Sequence, residues 1–111
     1  MNVKVKQKDK IVAIFLDGVL DYSNMNLLVD IIEGFGEKLP DINYIDCNDL
    51  LHIDSLAIGY LIRTFSKFKK YGSELILTNL NEKIAKIFKL TKIDKFFTIQ
   101  QNFNYDNIFS I

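Results

Sequence analysis

The sequence predicts an α/β fold, and three observations predict it. Segments with strand periodicity alternate with segments of helical periodicity in the order β-β-α-β-α-β-α. No repeat, low-complexity tract or Pro/Gly/Ser-rich linker interrupts that order across 111 residues. With 49% apolar residues, a chain of this length buries roughly two-thirds of its unfolded surface around one core, so one domain over residues 1–111 is expected. Where helices link strands, right-handed crossovers make those strands parallel.

Val3 and Val5 alternate with lysines up to the polar turn Gln7-Lys8-Asp9-Lys10, and Ile11 to Leu16 then runs apolar. This predicts an N-terminal hairpin with one half-exposed strand and one buried strand that ends at Asp17-Gly18. Asp21-Tyr22-Ser23-Asn24 supplies capping residues for a helix carrying Leu27, Leu28, Ile31, Ile32 and Phe35, which ends near Gly34 to Gly36. Pro40-Asp41 turns the chain into a short central strand, Ile42 to Cys47, followed by a short loop. From Ser55 onward, Ile58, Leu61, Ile62, Phe65 and Phe68 share one helix face. Lysines in its last turn suit the negative end of the helix dipole, and Tyr71-Gly72 stops it. Leu75 to Thr78 is a strand; Asn79 or Asn81 caps a helix with Ile84, Ile87 and Phe88; Phe96 to Ile99 is a short extended piece. Gln100 to Ile111 is ambiguous, with Tyr105, Ile108 and Phe109 compatible with one more helix.

Composition excludes much chemistry. Fourteen basic residues balance fourteen acidic ones, so no long-range field gathers nucleic acid or an anionic membrane. The longest apolar runs fall far short of the roughly 20 residues that span a bilayer, and lone Cys47 forms no internal disulfide. A cytoplasmic protein without membrane insertion or direct nucleic-acid contact is expected. One histidine, His52, and one cysteine do not build a zinc site, and no phosphate-cradling glycine motif occurs. No cofactor and no catalytic residue is expected. Cys47 reads as a small core residue, His52 as a loop or strand-end residue, Tyr60 and Phe65 as packing, and the many helix lysines as solvated faces.

The run Ile45-Asp46 … His52-Ile53-Asp54-Ser55-Leu56-Ala57-Ile58-Gly59 … Tyr71-Gly72-Ser73 … Leu90-Thr91-Lys92-Ile93-Asp94-Lys95-Phe96-Phe97, with Gly18-Val19-Leu20-Asp21 before it, resembles the STAS domain of bacterial anti-sigma factor antagonists. The resemblance covers nearly the whole chain. It implies a STAS fold, a mixed four- to five-stranded sheet with helices packed mainly on one face. It also implies a protein-binding switch without catalytic activity. Ser55 matches the serine that a partner anti-sigma factor, itself a serine kinase, phosphorylates and that a PP2C-type phosphatase restores. The unphosphorylated form binds the kinase and the phosphorylated form releases it. The same resemblance assigns partner binding to Asp21, Asp54, Ser55, Leu56, Ala57 and Gly59.

A serine in the first turn of a helix lies among amides without intrahelical partners, so the fold itself tolerates a phosphate there. The plainer reading is that Asp54 or Ser55 simply caps the helix, and that Asp21 belongs to a turn. Leu56 and Ala57 stand where the family has Ser/Thr and Gly, and Lys92 stands in place of a glycine. An outward Leu56 serves a partner, whereas an inward one only packs. Two other functions stay open. One is a STAS scaffold or adaptor in a signalling or lipid-transport assembly, with Ser55 unused. The other is a small Mg²⁺-dependent enzyme using Asp21, Asp46 and Asp54.

Overall fold

The computed structural model describes residues 1–109, and its five strands lie side by side in chain order. Strands β1 (Asn2–Lys8) and β2 (Ile11–Leu20) pair antiparallel, with Lys8 opposite Ile11 and Asn2 opposite Asp17. Helix α1 (Asn26–Glu33) carries the chain to β3 (Ile42–Ile53), α2 (Ser55–Lys70) to β4 (Glu74–Thr78), and α3 (Glu82–Leu90) to β5 (Thr98–Gln100). Each of these three crossovers returns the chain parallel to the preceding strand. The result is the mixed α/β sheet that the sequence predicts.

Alternation along the strands separates two faces. Val12, Ile14 and Leu16 of β2, Ile45 and Cys47 of β3, and Leu75 and Leu77 of β4 meet Leu28, Ile32, Leu61, Phe68, Ile84 and Phe88 from α1, α2 and α3 in the main core. Burying a side chain such as Phe68 or Phe88 stabilises the fold by roughly 1.5–3 kcal/mol. Ala13, Tyr44 and Ile76 point to the other face, where Phe103, Tyr105, Ile108 and Phe109 cover them. Ile108 and Phe109 belong to the short helix α4 (Asp106–Phe109), so the segment after β5 packs on the sheet. Residues 110 and 111 of the expected C-terminal helix lie outside the described residues.

Four local expectations are corrected. Strand β2 does not stop at Asp17-Gly18 but runs on to Leu20, because Gly18 takes φ +111° at an irregularity in the β2–β3 ladder that only glycine adopts without strain. Strand β3 is twice the expected length: residues 48–53, read as loop, continue the ladder and place Leu50 and Ile53 in the core. Asp21 to Asn24 do not cap α1, whose first turn has no side-chain cap. They close a turn in which Asp21 accepts from the Ser23 amide at 2.9 Å and Asn24 donates to the Val19 carbonyl at 2.6 Å. Phe96 ends a single 3-10 turn, Asp94–Phe96, instead of joining β5.

Among the described residues no helix is long and apolar enough to cross a membrane.

Candidate functional site

Strand β4 pairs with β3 only as far as Asp46, so residues 47–53 of β3 project past it, held by β2 on one side. On the other side the Asn81 amide donates to the carbonyls of Cys47, Asn48 and Leu50 at 2.6–3.2 Å, while its oxygen caps α3 by accepting from the Ile84 amide at 3.0 Å. One side chain thus fixes both the overhang of β3 and the start of α3. The overhang carries Asp54 and Ser55 to the far end of the sheet.

Asp54 has extended backbone (φ −90°, ψ 172°), which is the N-cap conformation. One carboxylate oxygen accepts from the Ala57 amide at 2.9 Å and the other accepts from the Tyr22 amide at 2.9 Å. Asp54 is therefore both the cap of α2 and the tie between α2 and the turn after β2. Its own amide donates to the Leu20 carbonyl at 3.2 Å, adding a second bond between the two segments. Ser55 follows as the first residue of α2, exposed to solvent, where the helix presents its positive end. Asp54, not Ser55, supplies the side-chain cap of α2.

The other predicted positions separate by burial. Leu56 is 53% exposed and points outward, whereas Ala57 is 1% exposed and packs in the core. Ala57 therefore contributes its amide to this site and not its side chain. Gly59 is half-buried one turn along from Ser55, and a Cβ there would meet only the end of the Arg63 side chain, at 3.4 Å. Asp21 sits beside the α2 start through the Tyr22–Asp54 bond. Its carboxylate also accepts from the Ser23 hydroxyl at 2.5 Å, and the Ser23 hydrogen bonds hold its pKa below the usual carboxylate value. Ser55, Asp54, Leu56, Gly59 and Asp21 thus share one end of the molecule.

Asp46 does not join them. It is 7% exposed on the opposite face, accepting from the Asn48 amide at 3.0 Å, from Thr78 at 3.2 Å and from Asn79 at 2.8 Å. The Mg²⁺ cluster of Asp21, Asp46 and Asp54 is not assembled, and among the described residues no group of three or more His, Cys, Asp or Glu stands together. Cys47 is buried in the core, where desolvation pushes its thiol pKa up and away from thiolate chemistry. His52 is exposed at the end of β3, opposite Val19.

Lys92 takes φ +59° after α3. The Ile93 amide bonds back to the Phe88 carbonyl at 3.0 Å and closes the helix. The sequence resemblance puts a glycine in this left-handed position, which a lysine occupies at a cost of about 1 kcal/mol.

Sequence reasoning missed Tyr22 and Leu51. Both are large, apolar and exposed, at 78% and 58%, on the segments that flank Asp54. The signal was an aromatic ring inside the otherwise polar run Asp21 to Asn24, and a second leucine in what read as a loop.

This five-stranded sheet, with an Asp-Ser pair opening the helix after its central strand, is matched over residues 2–105 by the STAS domain family model. The chain belongs to the STAS domain family. It is 30% identical over 91 residues to the anti-sigma-B factor antagonist of Bacillus subtilis (strain 168), covering 82% of this chain and 83% of the relative. Its fold is also that of the anti-sigma factor antagonist SpoIIAA in its unphosphorylated form, with TM-score 0.74, 16% identity, and 96% and 93% of the two chains covered. Against the phosphorylated form of the Bacillus cell fate determinant SpoIIAA the TM-score is 0.75, at 16% identity with 96% of each chain covered. The likeness in fold is the same for both forms.

Proposed function

We propose that this chain is an anti-sigma factor antagonist, working as one STAS domain that binds an anti-sigma factor when Ser55 is unmodified and releases it when Ser55 is phosphorylated. The observation that carries the reading is the exposed Ser55 hydroxyl at the start of α2 beside a cap already supplied by Asp54. The identity to the Bacillus subtilis antagonist over most of both chains supports the same reading. The protein acts by binding. The partner is an anti-sigma factor that is also a serine kinase: Ser55 Oγ loses its proton and takes the γ-phosphoryl group of ATP, and ADP leaves. A PP2C-type phosphatase hydrolyses the ester and restores the hydroxyl.

A phosphate on Ser55 adds about −1.5 to −2 charges and three acceptor oxygens beside the Asp54 carboxylate. The first-turn amides and dipole of α2 accommodate that charge, so the fold survives. A partner surface shaped for a neutral hydroxyl does not, because desolvating the phosphate against it costs several kcal/mol. The switch is therefore local. Asp21, Asp54, Leu56 and Gly59 surround Ser55 in the contact, with Ala57 acting through its amide.

Phosphosite mapping on the protein from its own cells, combined with binding of Ser55→Ala and Ser55→Asp to the cognate anti-sigma factor, tests this. The expected result is one phosphate on Ser55, retention by Ser55→Ala and loss of at least tenfold in affinity for Ser55→Asp. Equal binding by both variants and an unmodified Ser55 would instead make the chain a constitutive STAS adaptor.

A further inference from the structure

Large apolar side chains exposed to solvent are not spread evenly over this molecule. Of the nine among the described residues, Val19, Tyr22, Leu27, Leu51 and Leu56 lie on the end of β2, the turn and helix after it, the end of β3 and the start of α2. Single exposed leucines need no explanation, but a group on neighbouring segments marks an interaction surface. The grouping is fixed by hydrogen bonds: Tyr22 is held to Asp54 through its amide, Leu56 follows Asp54 by two residues, and Leu51 precedes it by three on a strand paired with β2.

Charge is distributed with the same bias. Neither residues 11–37 nor residues 39–62 contain a lysine or arginine, although the two stretches hold nine Asp and Glu. Asp17, Asp21, Asp49 and Asp54 belong to this end, where β2 and β3 finish and α2 begins. The chain is neutral because most of its basic residues sit elsewhere, on β1, at Lys10 and Lys38, on the C-terminal half of α2, and on α3 with the loop after it; Arg63, whose guanidinium reaches back toward Gly59, is the exception.

We propose that Tyr22, Leu51 and Leu56 are the anchors of the regulatory complex. They meet a partner surface that is apolar at its centre and basic at its rim, and Ser55 among them is the switch and not the source of affinity. This inference rests on the proposed function and adds the chemistry of the partner's face. Apolar and aromatic anchors in a desolvated centre carry most of the affinity of such contacts, while rim charges set the approach rate and its salt dependence. The placement also explains why a phosphate on Ser55 expels the partner: it would sit dianionic next to Leu56 at the start of α2, where closing the apolar contact strips its water. The backbone amide, not the ring, holds Tyr22 in the fold, so the ring is available to a partner.

Tyr22→Ser, Leu51→Ser and Leu56→Ser remove exposed side chains and leave the backbone hydrogen bonds in place. Leu90→Ser removes a side chain 71% exposed at the C-terminal end of α3, outside the group, and serves as control. Each variant, alongside Ser55→Ala and Ser55→Asp, is titrated against the purified cognate anti-sigma factor, after thermal melts confirm the fold. The expected result is a Kd raised about tenfold or more for Tyr22→Ser and Leu56→Ser, a change within about twofold for Leu90→Ser, and weaker wild-type binding as salt rises.

Patch variants that bind within about twofold of wild type overturn the inference and leave the Ser55 switch intact. A complex that loses tenfold at Leu56 yet ignores the Ser55 state keeps the anchors and removes the switch. Sedimentation that reveals a wild-type dimer dissolved by Leu56→Ser assigns the surface to a second copy of the chain, which overturns the partner named here. No Ser55-sensitive or apolar-dependent complex at all overturns both readings.

Discussion

The molecule has two apolar surfaces beyond its main core, and the chain treats them in opposite ways. On the second face of the sheet, Ala13, Tyr44 and Ile76 are covered by the segment after β5. Tyr105 stands edge-on to Phe15, Tyr44 and Phe103 at centroid distances of 4.9, 5.7 and 4.8 Å, and its hydroxyl bonds to Thr78. At the Ser55 end, Tyr22, Leu51 and Leu56 are exposed, with none of the described residues covering them. A fold that supplies a cover for one apolar surface and none for the other separates stability from recognition.

The strongest way to break that comparison is Tyr105→Ala. Large aromatic truncations in cores cost about 3–5 kcal/mol, and the half-buried Tyr105 should fall near 3 kcal/mol, including the loss of the Thr78 bond. Denaturant unfolding reads this directly, and a change below about 1 kcal/mol would reduce the segment after β5 to decoration. Affinity of the Ser55→Ala form for its partner should not move in a Tyr105 variant that remains folded, because the two surfaces share no residue.

Asp54→Ala comes next, since Asp54 serves both stability and recognition. Loss of an N-cap costs about 0.5–2 kcal/mol, and freeing the Tyr22 amide adds to it, so a total near 2 kcal/mol is expected from chemical denaturation. Asp54→Asn keeps an acceptor for one of the two amides and should recover about half. If Asp54→Asn restores stability but not partner binding, the carboxylate charge belongs to the contact; if both return together, Asp54 acts only by positioning.

Much of this architecture is legible in the sequence where one periodicity dominates a segment. The α2 stripe from Ile58 to Phe68 and the Val3/Val5 alternation each admit one element, and both form. The β3 overhang was not legible, because Asn48-Asp49 has turn chemistry and the buried residues Cys47, Leu50 and Ile53 recur every third position, which is not the strand period of two. Tertiary pairing with β2 and the Asn81 amide override that local preference. Asp21 to Asn24 failed as caps for a related reason: the side chains of Asp21, Ser23 and Asn24 are committed to a turn, and the Tyr22 amide donates to Asp54, 32 residues away. Of the site, a cap at Asp54 or Ser55 was readable from the local pattern, the role of Ser55 came only with the family resemblance, and Leu56 stood open between outward and inward. Tyr22 and Leu51 were not, because exposure is decided by what the rest of the fold leaves uncovered.

The smallest effect gives the sharpest separation. Gly59 lies one turn along α2 from Ser55, and a methyl group there meets only a flexible arginine end at ordinary contact distance. Gly59→Ala should therefore raise stability by about 0.5–1 kcal/mol, the usual gain from glycine to alanine inside a helix, seen as an increase in denaturation midpoint at constant slope. The same methyl projects beside the switch. If the partner's surface closes tightly around Ser55, its affinity falls although the protein is more stable. If the partner is held instead by Tyr22, Leu51 and Leu56 with a looser fit at the helix, affinity stays unchanged. A variant that gains stability while losing affinity is not explained by damage to the fold, so this pair of measurements maps how close the contact comes at Ser55 itself.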